Sequence, residues 1–325
     1  MAKFFQLGVT AMVAFTLITS ATPAMAVTWT HSGTMDTDAN NRFLAVSSAG
    51  VAAVVSHDSD SITLFNASTG SWIATVAVGD GPTVASFSGN GTTLAVLNED
   101  AQTVSLVNVA SHEVTSTFAV QEAARSANIT PDGSAVYVGD YLGRFVWVYS
   151  TRTGALSYKI NIRTSDNLWV QFTPNGKTAY VSAQGSSQIA VVNVKQKKNI
   201  YDINLAGGSP GNTALSPNRR YLAVPTFDYE PGVMIVDLKH KSRVANLQLS
   251  GANAQSVTFS ADGNFLYVTD SVQGAIWTID MNSLSLVDAD VVWSAGVNGL
   301  ILSPDNSFAY LSNSSVDSLW KVTIS

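Results

Sequence analysis

The fold is decided by the stretch Ser260-Ala261-Asp262-Gly263-Asn264-Phe265-Leu266-Tyr267-Val268-Thr269-Asp270. In it, a polar turn containing Asp262-Gly263, residues suited to tight hairpins, leads directly into an apolar strand. The same phrase, a Ser or Thr followed by a turn and an apolar strand, occurs seven times. The copies start at Ser47, Ser88, Thr130, Thr173, Ser216, Ser260 and Ser303, at intervals of 41, 42, 43, 43, 44 and 43 residues.

Each repeat contains four predicted strands, which we label A to D. In the second copy they cover residues 83–87, 94–97, 103–109 and 114–120. Their alternating β-branched residues indicate half-buried strands, and no long stretch has helical periodicity. A period near 43 residues with four strands per repeat predicts an all-β fold, a seven-bladed β-propeller with four-stranded antiparallel blades.

The two ends of the chain indicate how the ring closes. After Ser303 the sequence has room for strands B and C of the last blade but not for strand D. We expect residues 27–34 to supply that missing strand, and residues 42–46 to begin the first blade. Completing the last blade with an N-terminal strand removes exposed sheet edges.

The first 26 residues have the features of a cleaved signal peptide. Lys3 precedes an apolar run over residues 7–17, and Ala24-Met25-Ala26 fits the small-x-small cleavage rule. We therefore expect a periplasmic or secreted protein in which residues 27–325 form a single propeller domain. No other segment is long and apolar enough to suggest a transmembrane span.

Composition excludes several classes of function. Charged residues make up 12% of the 325 residues and hydrophobic residues 46%, so the chain can bury a large core. The net charge of −6 disfavours nucleic-acid binding. Because cysteine is absent, disulfides, thiolate nucleophiles and cysteine metal sites are excluded. We expect a monomer without a cofactor.

Two repeats also carry a recognisable strand motif. Leu266-Tyr267-Val268-Thr269-Asp270 is nearly Tyr-Val-Thr-Asn, and Ala309-Tyr310-Leu311-Ser312-Asn313 is a looser copy. On these motifs and the Ser/Thr-Pro-Asp/Asn-Gly turns, residues 27–325 resemble the YVTN-type β-propellers with repeats of about 40 residues. That family includes surface-layer and periplasmic proteins and, more distantly, lactonases and the haem-bearing propeller of nitrite reductases. The resemblance therefore implies a fold and export, but no particular reaction.

In a propeller, the D–A and B–C loops share one end, here called the top face, and the A–B and C–D turns share the other, the bottom face. The top loops contain 14 of the 23 acidic residues. Nine of the 17 basic residues lie in the bottom turns of blades four and five: Lys177, Lys195, Lys197, Lys198, Arg219, Arg220, Lys239, Lys241 and Arg243. These cations either dock onto an anionic surface or are solvated turn residues that discourage edge association.

A candidate binding site is predicted at the channel mouth on the top face. The residues five positions before each repeat start are Arg42, Thr83, Arg125, Leu168, Gly211, Gln255 and Asn298. The surrounding candidates are Asp140, Tyr141, Arg144, Trp169, Phe227, Asp228, Tyr229 and Asp270. Arginines and amides suit a carboxylate, phosphate or sugar, and aromatic rings beside carboxylates suit a sugar or peptide. A mouth that holds only water is the alternative.

These features favour an exported, non-enzymatic binding module whose top face recognises a protein, peptide or glycan of the cell envelope. The alternative is a lactonase- or lyase-like enzyme acting on a small ligand at the mouth, with His57, Arg42, Arg125, Asp140 and Asp270 as its candidates. The four histidines, His31, His57, His112 and His240, are scattered over different loops and strands. We therefore assign no catalytic residue and expect no metal site.

Overall fold

The computed structural model describes residues 27–37, 40–141, 143–163, 168–227, 231–249, 253–292, 296–313 and 316–325. The predicted signal peptide, residues 1–26, lies outside these ranges, as do Asp228 and Tyr229. Within them the chain forms seven antiparallel sheets arranged as a seven-bladed β-propeller, as the repeats predicted. In the described part of the chain, no helix has the length and apolar composition needed to cross a bilayer.

The first strand, β1 (Trp29–Asp36), precedes the blades, and the next sixteen strands form the first four. Blade 1 contains β2 (Asn41–Val46), β3 (Val51–Ser56), β4 (Ser61–Asn66) and β5 (Trp72–Ala77), and blade 2 contains β6 (Pro82–Phe87), β7 (Thr93–Asn98), β8 (Thr103–Asn108) and β9 (Glu113–Ala119). Blade 3 contains β10 (Ala124–Ile129), β11 (Ala135–Asp140), β12 (Phe145–Ser150) and β13 (Leu156–Asn161), and blade 4 contains β14 (Leu168–Phe172), β15 (Thr178–Ala183), β16 (Gln188–Asn193) and β17 (Lys198–Asn204). A single 3-10 turn, His57–Ser59, interrupts the described strands of blade 1.

The last three blades depart from the common plan in two places. Blade 5 contains β18 (Ser209–Pro210), β19 (Ala214–Leu215), β20 (Tyr221–Phe227), β21 (Gly232–Asp237) and β22 (Ser242–Gln248), and blade 6 contains β23 (Ala254–Phe259), β24 (Phe265–Asp270), β25 (Ala275–Asp280) and β26 (Ser285–Val291). Blade 7 contains β27 (Val297–Leu302), β28 (Phe308–Asn313) and β29 (Ser318–Ile324). Strand A of blade 5 is thus split into two short pieces, and strand D of blade 7 comes from the N-terminal end.

Ring closure follows the prediction from the two chain ends. Strand β1 pairs antiparallel with β29, from Trp29 opposite Ile324 to Asp36 opposite Ser318. The indole of Trp29 is 6% exposed, meets Tyr267 of blade 6 edge-on at 4.8 Å, and donates to Thr278 Oγ1 at 3.3 Å. The closing strand therefore completes blade 7 and also packs against its neighbour.

The core consists of seven apolar layers, one between each pair of neighbouring blades. Between blades 1 and 2 the layer includes Leu64, Val76 and Leu94. The layer between blades 7 and 1 includes Phe65 and Tyr310, whose rings meet edge-on at 5.0 Å. Because both faces of every sheet are covered, strands B and C are near-continuous apolar runs.

The repeated Ser or Thr clamps the A–B turn at the bottom of each blade. Ser260, 2% exposed, donates to Asp262 Oδ1 at 2.6 Å and accepts from the Phe265 amide at 2.9 Å, while Gly263 adopts φ +75°. Equivalent bonds to an Asp or Asn two residues on are made by Ser88, Thr130, Thr173, Ser216 and Ser303. The motif that reveals the repeat is therefore a structural turn and carries no chemistry of its own.

The closing strand gives a first testable prediction. Trp29→Ala removes a buried ring at the ring closure, and we expect it to lower the free energy of unfolding by about 3–5 kcal/mol. Trp72→Ala is the matched control, because Trp72 is 64% exposed on the outer strand of blade 1; its effect should stay within about 0.5 kcal/mol. Urea unfolding followed by circular dichroism measures both. Equal losses would mean that ring closure does not depend on Trp29.

The turn aspartates give a second prediction, on acid stability. The hydrogen bond from Ser303 holds the pKa of Asp305 at about 2, and the bonds from Thr130 and Ser260 lower the pKa values of Asp132 and Asp262. A carboxyl whose pKa is lowered by folding stabilises the protein above its unfolded pKa, near 3.8, and loses that contribution as the pH falls toward 2.

Asn90, Asn175 and Asn218 accept the same bond in other blades without titrating. The triple variant with Asp132, Asp262 and Asp305 each changed to Asn should therefore lose less stability than the parent protein between about pH 5 and pH 2.5. Urea midpoints measured across this range test the expectation. Parallel pH profiles for parent and variant would contradict it.

Candidate functional site

A cavity of about 1080 Å³ lies where the top ends of the seven blades meet. Every blade contributes to its wall. The lining residues are Asn40, Arg42, Phe43, Leu44, Thr83, Val84, Glu99, Arg125, Tyr141, Trp169, Gln184, Asn212, Pro231, Asn253, Gln255, Ser256, Asn298 and Gly299. Five of the seven residues predicted to ring the mouth are among them.

A β-bulge in strand A gives those five residues their position. The pairing register between strands A and B shifts by one residue at the same place in blades 1, 2, 3, 6 and 7. The residues left unpaired at the bulge are Arg42, Thr83, Arg125, Gln255 and Asn298. A bulge re-aims the side chain of its extra residue, so the repeated bulge lines the mouth with one side chain per blade.

Blades 4 and 5 lack this arrangement; blade 4 supplies the predicted Trp169, and blade 5 supplies Asn212, which was not predicted. In blade 4 the described pairing of strands A and B has no shift, and the predicted Trp169 lines the cavity, while the side chain of Leu168 lies outside the described residues. In blade 5 strand A is interrupted between Pro210 and Ala214; Gly211 is buried there, and Asn212 lines the cavity. The cavity therefore has a half-buried aromatic ring on the blade 4 side.

Arg125, the second arginine of the mouth, is neutralised by a carboxylate of the neighbouring blade. Arg125 Nη1 donates to Glu99 Oε1, which lies in the B–C loop of blade 2. The guanidinium also stacks 5.2 Å from the centre of the Tyr141 ring. Arg125 is thus held between a carboxylate and an aromatic ring, and its charge is compensated.

Unlike Arg125, Arg42 has no carboxylate of the described residues in direct contact. Hydrogen bonds from His57 and Asn40 and, to a smaller extent, the charge of Arg42 lower the pKa of Asp58. Arg42 is exposed, lines the cavity and forms no ion pair with any described residue. Glu99 is the one acid among the described lining residues, and it belongs to Arg125. The described wall of the cavity therefore carries one positive charge without an ion pair, at Arg42.

Amides and aromatic rings make up most of the remaining polar wall. The six amide side chains are Asn40, Gln184, Asn212, Asn253, Gln255 and Asn298. The aromatic rings are Phe43, Tyr141 and Trp169, of which Tyr141 is 45% exposed. Amides both donate and accept hydrogen bonds, so the wall can satisfy ligand hydroxyls in either role.

Asp140 and Asp270 occupy a different position from the predicted mouth. Asp140, 7% exposed, accepts from the Gly143 amide at 2.7 Å and from the Trp147 indole at 3.0 Å. Asp270, fully buried, accepts from the amides of Asn253, Val272 and Gln273 at 3.0, 2.8 and 3.2 Å. Each ends strand B and secures the adjacent loop, and neither lines the cavity.

The other predicted residues are distributed as follows. Tyr141 and Trp169 line the cavity, whereas Arg144 is exposed on a top loop outside the lining. Phe227 ends β20, and its side chain, like Asp228 and Tyr229, lies outside the described residues.

His57 lies on the rim, not in the cavity wall. Its Nδ1 is 2.8 Å from Asp58 Oδ1 and its Nε2 is 3.6 Å from Asp100 Oδ2. The hydrogen bond from His57, with a second from Asn40 at 2.9 Å, lowers the pKa of Asp58. In the described ranges, no three His, Asp or Glu side chains are grouped closely enough to hold a metal ion.

Sequence reasoning missed Glu99, Gln184 and Asn212 as site residues. Glu99, Tyr141 and Gln184 are each the first residue after strand B in blades 2, 3 and 4. This shared repeat position was a usable signal, since the predicted Tyr141 shares it with two residues that were not selected. The counter-ion role of Glu99 had no such signal, because it depends on contact between two blades.

Comparison with known proteins confirms the fold and leaves the function open. No protein-family model and no curated protein match the chain, so the resemblance to YVTN-type propellers stays a prediction. Among solved structures, Kuenenia stuttgartiensis hydrazine synthase is similar at 19% identity and a TM-score of 0.77, covering 90% of this chain and 97% of that one. The Cps50 (Swd1) β-propeller domain of Myceliophteria thermophila is similar at 12% identity and a TM-score of 0.80, covering 92% and 100%.

These findings define the chain as a seven-bladed β-propeller. The two neighbours are very different proteins, a hydrazine synthase and the propeller domain of Cps50 (Swd1). At such low identity a shared propeller fold carries no function with it. The function has to be argued from the cavity itself.

Thr83 gives a prediction on the energetics of the mouth. It is 9% exposed, and its enclosed hydroxyl has no hydrogen-bond partner among the described residues. Thr83→Val keeps the shape and removes the unpaired hydroxyl, so we expect the free energy of unfolding to rise by about 1 kcal/mol.

Thr130→Val is the matched control for this substitution. Thr130 is equally buried, but its hydroxyl donates to Asp132 at 2.6 Å and accepts from the Ala135 amide at 3.1 Å. Its removal should lower the free energy of unfolding by about 1–2 kcal/mol. Urea unfolding of both variants measures the difference, and destabilisation by Thr83→Val would contradict the expectation.

Proposed function

We propose that the protein is an exported, non-enzymatic propeller that binds a carboxylate-bearing glycan in the cavity of its top face. The observation that carries the proposal is the guanidinium of Arg42, which forms no ion pair with the described residues, in a wall rich in amides and aromatic rings. Export is inferred from the signal-peptide features of residues 1–26.

The charge distribution supports an anionic ligand. Of the two arginines in the wall, Arg125 is matched by Glu99, and Arg42 forms no ion pair with the described residues. A guanidinium forms its best-directed hydrogen bonds with planar oxyanions such as carboxylates. A ligand with one acid group would thus match the charge of Arg42.

The remaining wall supports a ligand rich in hydroxyl groups. Asn40 already donates to Asp58 at 2.9 Å. Four other amides of the wall can each donate to one hydroxyl and accept from another: Asn212, Asn253, Gln255 and Asn298. Tyr141 and the half-buried Trp169 present ring faces on which the apolar face of a sugar can stack. At about 1080 Å³, the cavity is at the upper end of ligand pockets and has room for more than one sugar ring.

The positions of the titratable groups favour binding over catalysis. Glu99 is engaged by Arg125, His57 stands on the rim, and Asp140 and Asp270 are buried and hydrogen-bonded to backbone amides. A general acid or base has to reach the reacting atoms of a bound ligand. Of the residues named for the enzymatic alternative, Arg42 and Arg125 line the cavity, but the acid and base candidates His57, Asp140 and Asp270 do not.

Titration calorimetry with matched sugars tests the proposal. We expect a glucuronate-containing oligosaccharide to bind more tightly than the same oligosaccharide with glucose in place of glucuronate. Arg42→Gln should weaken binding of the acidic sugar about 10- to 100-fold, the usual range for a hydrogen bond to a charged group. It should leave binding of the neutral sugar unchanged.

Arg144→Gln is the matched control, since Arg144 is an exposed arginine of the same face outside the cavity wall. It should leave both affinities unchanged. Equal effects of the two substitutions, or no binding of any acidic glycan, would overturn the proposal. Tighter binding of acidic peptides than of acidic sugars would replace the glycan with a peptide ligand.

A further inference from the structure

The bottom face carries a second, independent feature. The bottom turns and adjoining strand ends of blades 4 and 5 bear the nine cations Lys177, Lys195, Lys197, Lys198, Arg219, Arg220, Lys239, Lys241 and Arg243, here called the basic face. All are exposed except Arg243, which is half-buried. Because antiparallel strands put these turns at the opposite end from the B–C loops, the basic face points away from the cavity.

The basic face is almost free of counter-charge. Among the described residues of these turns, the one acidic residue is Asp237, which is 2% exposed. Its Oδ2 lies 3.5 Å from Arg220 Nε and 3.1 Å from His240 Nδ1. Burial opposes its ionisation, but hydrogen bonds from His240 and Lys239 outweigh that effect and hold the pKa of Asp237 at about 2. Among the described residues, Arg220 is the one member of the basic face in an ion pair.

Two lysines of the basic face are fixed in equivalent places on neighbouring blades. Lys197 Nζ lies 4.4 Å from the ring centre of Tyr158, on the outer strand of blade 3. Lys241 Nζ lies 4.2 Å from the ring centre of Tyr201, on the outer strand of blade 4. Each ammonium therefore spans the joint to the preceding blade, and the two charges are held one blade apart.

The rest of the bottom face has the opposite sign. Blades 2, 3, 6 and 7 carry five acids, Glu113, Asp132, Asp262, Asp280 and Asp305, and one exposed arginine, Arg152, in their bottom turns or at the adjoining strand ends. A negatively charged plane would attract blades 4 and 5 and, on balance, repel the rest of this face. The charge pattern therefore fixes an orientation in which the ring approaches such a plane tilted onto these two blades.

We propose that the basic face docks the propeller onto the surface of an anionic lipid bilayer, so that the cavity opens away from the membrane. Six of its nine cations are lysines, which are compact point charges suited to a diffuse layer of headgroups; arginines suit directed, bidentate recognition. Clusters of four to eight basic residues are typical of proteins held at anionic bilayers. The cavity and its ligand are not involved, so the two proposals stand or fall separately.

Vesicle sedimentation of the purified protein tests this inference. We expect it to pellet with phosphatidylglycerol-containing vesicles but not with pure phosphatidylcholine vesicles. Raising NaCl from about 0.1 M to about 1 M shortens the Debye length from ~10 Å to ~3 Å and should release it. The double variant Lys197→Gln/Lys241→Gln should lower the partition coefficient about 25-fold, since each surface charge contributes about fivefold.

The matched control is the double variant Lys159→Gln/Lys321→Gln. These lysines also contact aromatic rings, Lys159 over Phe145 at 4.4 Å and Lys321 over Phe308 at 3.8 Å, but they lie outside the basic face. The net charge changes equally in both double variants. Partition of the control should stay within about twofold of the parent protein, well inside the fivefold effect of one charge.

Three results would overturn the inference. The first is equal sedimentation with both vesicle types, and the second is equal loss of partition in the two double variants. The third is binding to a soluble polyanion, dextran sulfate, without sedimentation on phosphatidylglycerol vesicles, which would assign the basic face to polysaccharide.

Discussion

Everything in this molecule depends on the need of each blade to cover both faces of its sheet. A single four-stranded blade exposes two apolar surfaces, and only a neighbour on each side can bury them. The seven inter-blade layers meet this need all the way round, because the layer joining blades 7 and 1 closes the circle. Strand β1 secures that closure by pairing with β29 and packing Trp29 against blade 6.

The closed ring makes its two ends chemically different. At the top, five A-strand bulges bring one polar side chain per blade to a common cavity. At the bottom, the hydroxyl of the repeated Ser or Thr forms hydrogen bonds within its own turn, as Ser260 does with Asp262. The bottom turns can therefore differ in charge from blade to blade, and those of blades 4 and 5 are basic while those of the other blades carry five acids and one exposed arginine, Arg152.

Charge is compensated very differently at the two ends. In the cavity, Glu99 of blade 2 neutralises Arg125 of blade 3, and Arg42 keeps its charge. On the basic face, Asp237 lies buried against Arg220 and His240, and most cations have no acid nearby. One isolated charge in a polar pocket suits a specific small ligand, whereas many uncompensated lysines on an open face suit an extended anionic surface.

The sequence by itself determined the blade number, the strand order and the closing strand, because turns such as Asp262-Gly263 and the 43-residue period are local or periodic signals. It also located the ring of bulge residues, since these recur at a constant distance before each repeat. Only the tertiary structure decided that Asp140 and Asp270 fasten loops, and that Glu99 compensates Arg125. Glu99 and Arg125 are 26 residues apart in the sequence and lie on neighbouring blades, so their contact depends on how the blades pack. A local sequence pattern does not reveal such a contact.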